Sequence, residues 1–223
     1  MPESTHRSTH VLRVEPLRPS DIRQSSVAHV ALLPHGLFPR LGGPFMRRWH
    51  QTFVDSDHAQ ALVVRAEDGS LMGILLGTTD NAAYIADVLA RHKWGLGACG
   101  AFGLLTRPPL ALRFLGSRAG RYRRRLFTAR RNPGIDGPRS TPPVAVVHAL
   151  ITLPGHRRKG VASHLLKDYE LRVLERGGGL MQLITQAESG PVDFYLRHGW
   201  RVTDRRLDKD GQVVVQLDRE PGT

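Results

Sequence analysis

The stretch TLPGHRRKGVASHLL, Thr152 to Leu166, decides how this chain is built. It begins at the end of a β-branched run, Val144 to Leu153, that reads as a buried strand. Pro154-Gly155 turn the chain, and the consecutive cations Arg157, Arg158 and Lys159 lead to Gly160. From there Val161, Leu165, Leu166, Tyr169 and Val173 recur at helical spacing until Gly177-Gly178-Gly179 stop the helix. Strand, short cationic loop, glycine and helix N-terminus make an anion site. The first N–H groups of a helix lack intrahelical partners, and the helix dipole favours negative charge beside them. A glycine there lets a phosphate approach the backbone. The loop is not a Walker loop, because the spacing GxxxxGK[ST] is absent.

Downstream, LMQLITQ reads as a strand. PVDFYLRHGW reads as a short helix with proline near its start and glycine at its end. A hairpin around Lys209-Asp210-Gly211 closes the chain. Upstream, residues 10–18 read as an opening strand and 21–32 as a helix. Asp21 is that helix's expected cap, and Ile22, Val27, Val30 and Ala31 its expected apolar spacing. LPHGLFPRLGGP is punctuation, and FMRRWHQTFV a short helix. The clearest hairpin is ALVVRAEDGSLMGILLGTT, turning at Asp68-Gly69. AAYIADVLARH looks helical, and residues 94–139 read as a partly helical, irregular excursion.

At 223 residues the chain fits one domain with an insertion. Its single cysteine, Cys99, excludes an intramolecular disulfide and fits a reducing compartment. MPESTHRST lacks the apolar centre of a signal peptide. The run from Trp94 to Thr106 is shorter than the roughly 20 residues a membrane span takes. A soluble cytoplasmic protein is the expectation. The net charge of +12 is local: residues 91–139 carry 12 Lys and Arg against one acid, Asp136. The other 174 residues hold 20 bases and 19 acids. A block of this kind points to an anionic partner, a solvated face or a mobile loop, rather than to a nucleic-acid-binding domain.

Arg157-x-x-Gly160-x-Ala162 resembles the pyrophosphate loop of the GCN5-related N-acetyltransferases, the GNAT family. DFYLRHGW, Asp193 to Trp200, resembles that family's second signature, Phe-Tyr-x-x-x-Gly-Phe. The resemblance covers roughly residues 140–220, and the hairpin at 61–79 fits the same order. It implies an α/β fold: a mixed, mostly antiparallel central sheet, splayed between strands four and five and flanked by helices; residues 81–139 fall outside the resemblance and read as a basic helical insertion. It implies one N-acetyltransferase domain over 10–220, after a flexible N-terminus at 1–9 and with the insertion at about 81–139. The implied reaction is direct attack of a primary amine of a small molecule or peptide on acetyl-CoA, which leaves CoA as product.

The residues carried over are Arg157, Arg158, Lys159, Gly160, Val161, Ala162 and Ser163 for the pyrophosphate, and the backbone of Leu150, Ile151 and Thr152 for the pantetheine arm. Tyr195 matches the position that protonates the leaving thiolate; the alternative is a core tyrosine. His148, alternating with Leu150 and Thr152, stands where some members carry a glutamate base; the alternative is a hydrogen-bonded core histidine. Glu188 is a second base candidate. Where the family often has Asn-x-x-Ala, this chain has Glu188 and Pro191. Direct attack leaves Cys99 without a nucleophilic role.

GLGACG, Gly95 to Gly100, satisfies GxGxxG but lacks the strand before it and the acid about 20 residues after it that a dinucleotide site needs. No metal site is expected. The insertion reads as a cover for an amine or peptide acceptor, as a transient contact with a membrane surface or acidic partner through 91–139, or as a solvated elaboration. Competing functions are a longer-chain acyltransferase and a basic nucleic-acid binder on a non-catalytic fold, although stable nucleic-acid binding is not expected with 6% aromatic residues and no known binding motif. Oligomeric state stays open, a homodimer being compatible. The Arg, Ala and Gly usage resembles that of high-GC bacterial genes, an analogy that points to specialised metabolism or peptide modification.

Overall fold

A computed structural model describes residues 12–107, 142–187, 190–208 and 210–222. The strands are β1 (Val14–Pro16), β2 (Ala59–Arg65), β3 (Leu71–Thr78), β4 (Val144–Thr152), β5 (Leu180–Gln186), β6 (Arg201–Leu207) and β7 (Val213–Arg219). They form one seven-stranded sheet in the order β1-β2-β3-β4-β5-β7-β6. Neighbours run antiparallel except β4 and β5, which run parallel. A parallel pair needs a crossover, and the helix of the opening motif supplies it.

The helices are α1 (Ile22–Leu32), α2 (Leu37–Arg40), α3 (Gly43–Asp55), α4 (Asn81–Arg91), α5 (Lys93–Leu105), α6 (Val161–Glu175) and α7 (Pro191–Arg197). Together with the sheet they give a mixed α/β fold with a helical insertion between β3 and β4. The basic stretch from Arg113 to Arg139 lies outside the described residues. Among the described residues no helix is long and apolar enough to cross a membrane.

Two cores sandwich the sheet. On one face α6 buries Val161, Leu165, Leu166, Tyr169 and Val173, the positions its periodicity predicts. Gly77 of β3 lies under this helix because a Cβ there would stand 2.5 Å from the Tyr169 ring. Tyr169 Oη donates to the Thr78 carbonyl at 2.7 Å, so a fully buried phenol is satisfied. The other face packs Leu41, Phe45, Met46, Trp49 and Phe53 against Val63, Ile74 and Leu76.

Three expectations change. The carboxylate of Asp21 does not cap α1; it pairs with Arg65 and accepts from the Arg18 N–H at 2.9 Å. The buried residues of α1 are Ile22, Ser25, Ser26 and His29, while Val27 is 61% exposed, so the helix turns a polar stripe inward. The glycine-rich run 95–103 is regular helix, α5. Its glycines cost roughly 1 kcal/mol each against alanine. In return they let the helix approach its neighbours: a Cβ at Gly95 would meet Arg48 of α3, and one at Gly103 the Leu41 backbone. GLGACG is thus a packing surface, and Cys99 is a part-buried packing residue.

Candidate active site

β4 and β5 pair from Val144–Leu180 to Val147–Leu183 and then part, although β4 continues to Thr152 and β5 to Gln186. A gap opens in the middle of the sheet at His148. The register of β4 against β3 also shifts there: Ala149 faces Leu76 and Val147 faces Gly77, so His148 is the extra residue of a β-bulge. The bulge reverses the alternation. Ala145 and Val147 belong to the α6-side core, whereas Ala149 and Ile151 belong to the α3-side core. His148 therefore does not share a face with Leu150, as simple alternation predicts. Its ring sits among Trp49, Phe53 and Tyr84, and Leu150 packs toward α6.

Beyond the bulge, the Leu153 N–H donates to the Met72 carbonyl at 2.9 Å. Strand alternation then turns the peptide groups of Ile151 toward β3 and leaves those of Leu150 and Thr152 facing the gap. The predicted backbone trio thus divides: two members face the gap, and the third is engaged in the ladder.

At the far end of β4 stands the cationic loop. Arg157, Arg158, Lys159 and Gly160 are all exposed. Arg158 has φ +61°, and Gly160 has φ +79° as the residue just before α6. No side chain caps this end of α6. The N–H groups of its first turn, from Val161, Ala162 and Ser163, are available to a ligand. Ser163 Oγ lies 2.9 Å from His198 Nε2, and His198 Nδ1 lies 2.7 Å from the Phe194 carbonyl. These contacts bring the two signature segments together. His198 was absent from the sequence-based candidates, although it lies inside DFYLRHGW.

Tyr195 points into the α6-side core and is 7% exposed, beside Phe194 and Trp200. Burial raises its phenol well above the usual tyrosine value and keeps it protonated. Glu188 lies outside the described residues.

On the other side of the gap is a cleft of about 890 Å³. Its walls are His29, Leu33 and His35 from α1 and the loop after it, His148 and Ile184 from the parting strands, and Arg206, Asp208 and Asp210 from the β6–β7 hairpin. Arg40 of α2 ties to Asp210 at 3.0 Å, joining the first wall to the hairpin. His148 Nε2 lies 3.2 Å from Asn81 Oδ1. An amide oxygen accepts, so Nε2 carries the proton and Nδ1 is the lone-pair nitrogen. Burial lowers this imidazole to about 4. Among the described residues no group of His, Cys, Asp and Glu could hold a metal ion.

Residues 126–220 match the family model described as an acetyltransferase (GNAT) domain. Over that stretch, a little under half of its length, the chain is similar to a GNAT domain. Solved structures with the same fold include SsHAT, at TM-score 0.58 and 19% identity over 95% of this chain and 99% of that one. Arabidopsis thaliana NAA60 in complex with acetyl-CoA is similar at TM-score 0.58 and 12% identity, over 96% and 100% of the two chains. The Escherichia coli ribosomal-protein-S18-alanine N-acetyltransferase follows at TM-score 0.51 and 9% identity, over 96% of each. Identities this low carry the GNAT fold alone. No curated protein matches the sequence.

Proposed function

We propose that this chain is a GNAT-type, acetyl-CoA-dependent N-acetyltransferase that moves an acetyl group to a primary amine of a small molecule or peptide by direct attack. The observation that carries this reading is the parting of β4 from β5, with an uncapped cationic helix start at one end and a walled cleft at the other. The pyrophosphate rests on the N–H groups of Val161, Ala162 and Ser163, within reach of Arg157, Arg158 and Lys159. The pantetheine arm lies along β4 and meets the outward peptide groups of Leu150 and Thr152. A peptide N–H there also polarises the thioester carbonyl, as an oxyanion requires. The amine enters by the cleft, its nitrogen bonds to the carbonyl carbon, and the C–S bond breaks. Tyr195, protonated in its apolar site, gives its proton to the departing sulfur.

Residues 10–220 act as one catalytic domain in this reading, in a reducing cytoplasm. The test is thiol release from acetyl-CoA over a panel of small amines and peptide N-termini. Release with at least one amine class, together with an acetylated product by mass, is the expected result. A protein that binds CoA but acetylates no amine contradicts it.

A further inference from the structure

Ser25, His29 and His50 form a buried hydrogen-bonded chain behind the cleft wall. Ser25 and His50 are fully buried and His29 is 5% exposed. Ser25 Oγ lies 3.1 Å from the Ile22 carbonyl and 2.9 Å from His50 Nδ1. His50 Nε2 lies 3.2 Å from His29 Nδ1. The directions follow from proton counting. The Ile22 carbonyl only accepts, and assigning the one hydroxyl proton of Ser25 to it sets the direction of the chain. Ser25 Oγ must then accept from His50, whose Nδ1 carries the proton. A neutral imidazole has one N–H, so His50 Nε2 accepts from His29 Nδ1–H. The nitrogen left to His29 is Nε2, with a free lone pair, on a ring that forms part of the cleft wall.

We infer that His29, held in the Nδ1–H tautomer by His50 and Ser25, is the base that takes the proton of the attacking amine. This rests on the acetyl-transfer reading above. As the N–C bond forms, one amine proton passes to His29 Nε2 and an imidazolium results. The C–S bond breaks, and sulfur takes the proton of Tyr195. His29 returns its proton to solvent in the cleft, and Tyr195 recovers one from solvent, so the net products are the amide and the CoA thiol.

His148 serves differently. Its Nε2 is committed to Asn81, and the Trp49 ring stands close to both imidazoles, with centroids 5.4 Å from His29 and 6.3 Å from His148. Trp49 thus holds His29 edge-on while His50 sets its tautomer. His50 and Ser25 are positioning residues. A third orienting group behind a base is the usual device for keeping one tautomer. The polar stripe of α1 also acquires a reason. Burying Ser25 and His29 in place of Val27 is unfavourable for a helix face unless these groups are paired and used.

The test has two parts. Nitrogen-15 correlation spectra of the labelled wild type report which ring nitrogen bears the proton, with no variant and no turnover needed. Protonated Nδ1 and bare Nε2 on both His29 and His50 are expected; a protonated Nε2 on His29 overturns the assignment. Kinetics follow with the best amine found. His29→Gln should lower kcat at least about 100-fold, in the range for a lost general base, with acetyl-CoA affinity kept. His148→Gln should lose less than His29→Gln. Ser25→Ala should lower kcat about tenfold or less and mix the His50 tautomers in the spectrum. If His29→Gln keeps kcat within about threefold, the base lies elsewhere. If the wild type binds acetyl-CoA but transfers to no amine, the parent reading falls, which is a separate result from an active enzyme that ignores His29.

Discussion

Arg157, Arg158 and Lys159 stand exposed on a loop whose useful groups are backbone N–H and charge, whereas Ser25, His29 and His50 lie buried between α1 and α3 and depend on each other's protons. In the proposed reaction the first region grips a phosphate and needs little from the rest of the fold. The second exists only when two helices dock. There a local motif holds the donor, while the proton traffic depends on tertiary contacts between α1 and α3. Perturbing each region should therefore give a different signature, affinity for one and chemistry or acid stability for the other.

The largest effect is expected from acid. Burial lowers His29 and His148 to about 4; burial, and then the neighbouring His29, lowers His50 to about 3. A free imidazole titrates near 6.5. Below that value the unfolded chain takes protons that the folded chain refuses, so stability is complete above about pH 6.5 and falls as pH drops toward about 4, and toward about 3 for His50. Each imidazole contributes up to about 1.4 kcal/mol per pH unit over its window, so the sum is several kcal/mol. Urea titrations at neutral pH and at about pH 5 check this, and equal midpoints would contradict it. His50→Gln should flatten the slope where a charge reversal in the cationic loop does not.

Next is Tyr195→Phe. It should lower kcat about 100-fold and leave CoA affinity and folding intact, because the phenol oxygen is the one group removed from a ring that packs as before. Steady-state kinetics beside thermal melts separate the two, and a parallel loss of melting temperature would leave Tyr195 with a packing role alone. The smallest effect is expected at the rim of the cleft. Arg40→Ala removes the tie to Asp210, whose worth is at most about 1 kcal/mol for a partly exposed pair. It should raise the KM for the amine several-fold while kcat holds.

The sheet, the α6 face and the closing hairpin were legible because their signals are local: apolar spacing at Val161 to Val173, Asp68-Gly69, and the turn at Asp210-Gly211. The cationic loop was legible for the same reason. The bulge at His148 was not, since one extra residue in β4 leaves no compositional mark and shows itself only in the register against β3. The orientation of α1 was misread because apolar spacing was taken to mark the buried side, and here partnered polar side chains occupy it. His29 and His50 stand 21 positions apart on separate helices, so nothing in the order of residues joins them. The glycines of α5 read as irregularity because close helix packing and loops use the same residue.

The most direct test of the donor site proposed at the cationic loop is calorimetric titration of acetyl-CoA into the wild type and into Arg157→Glu/Gly160→Asp. The account predicts binding with a Kd of about micromolar order, and loss of at least about 100-fold in a double variant that melts like the wild type. A folded wild type that does not bind acetyl-CoA, or a double variant that binds as well as the wild type, would contradict it.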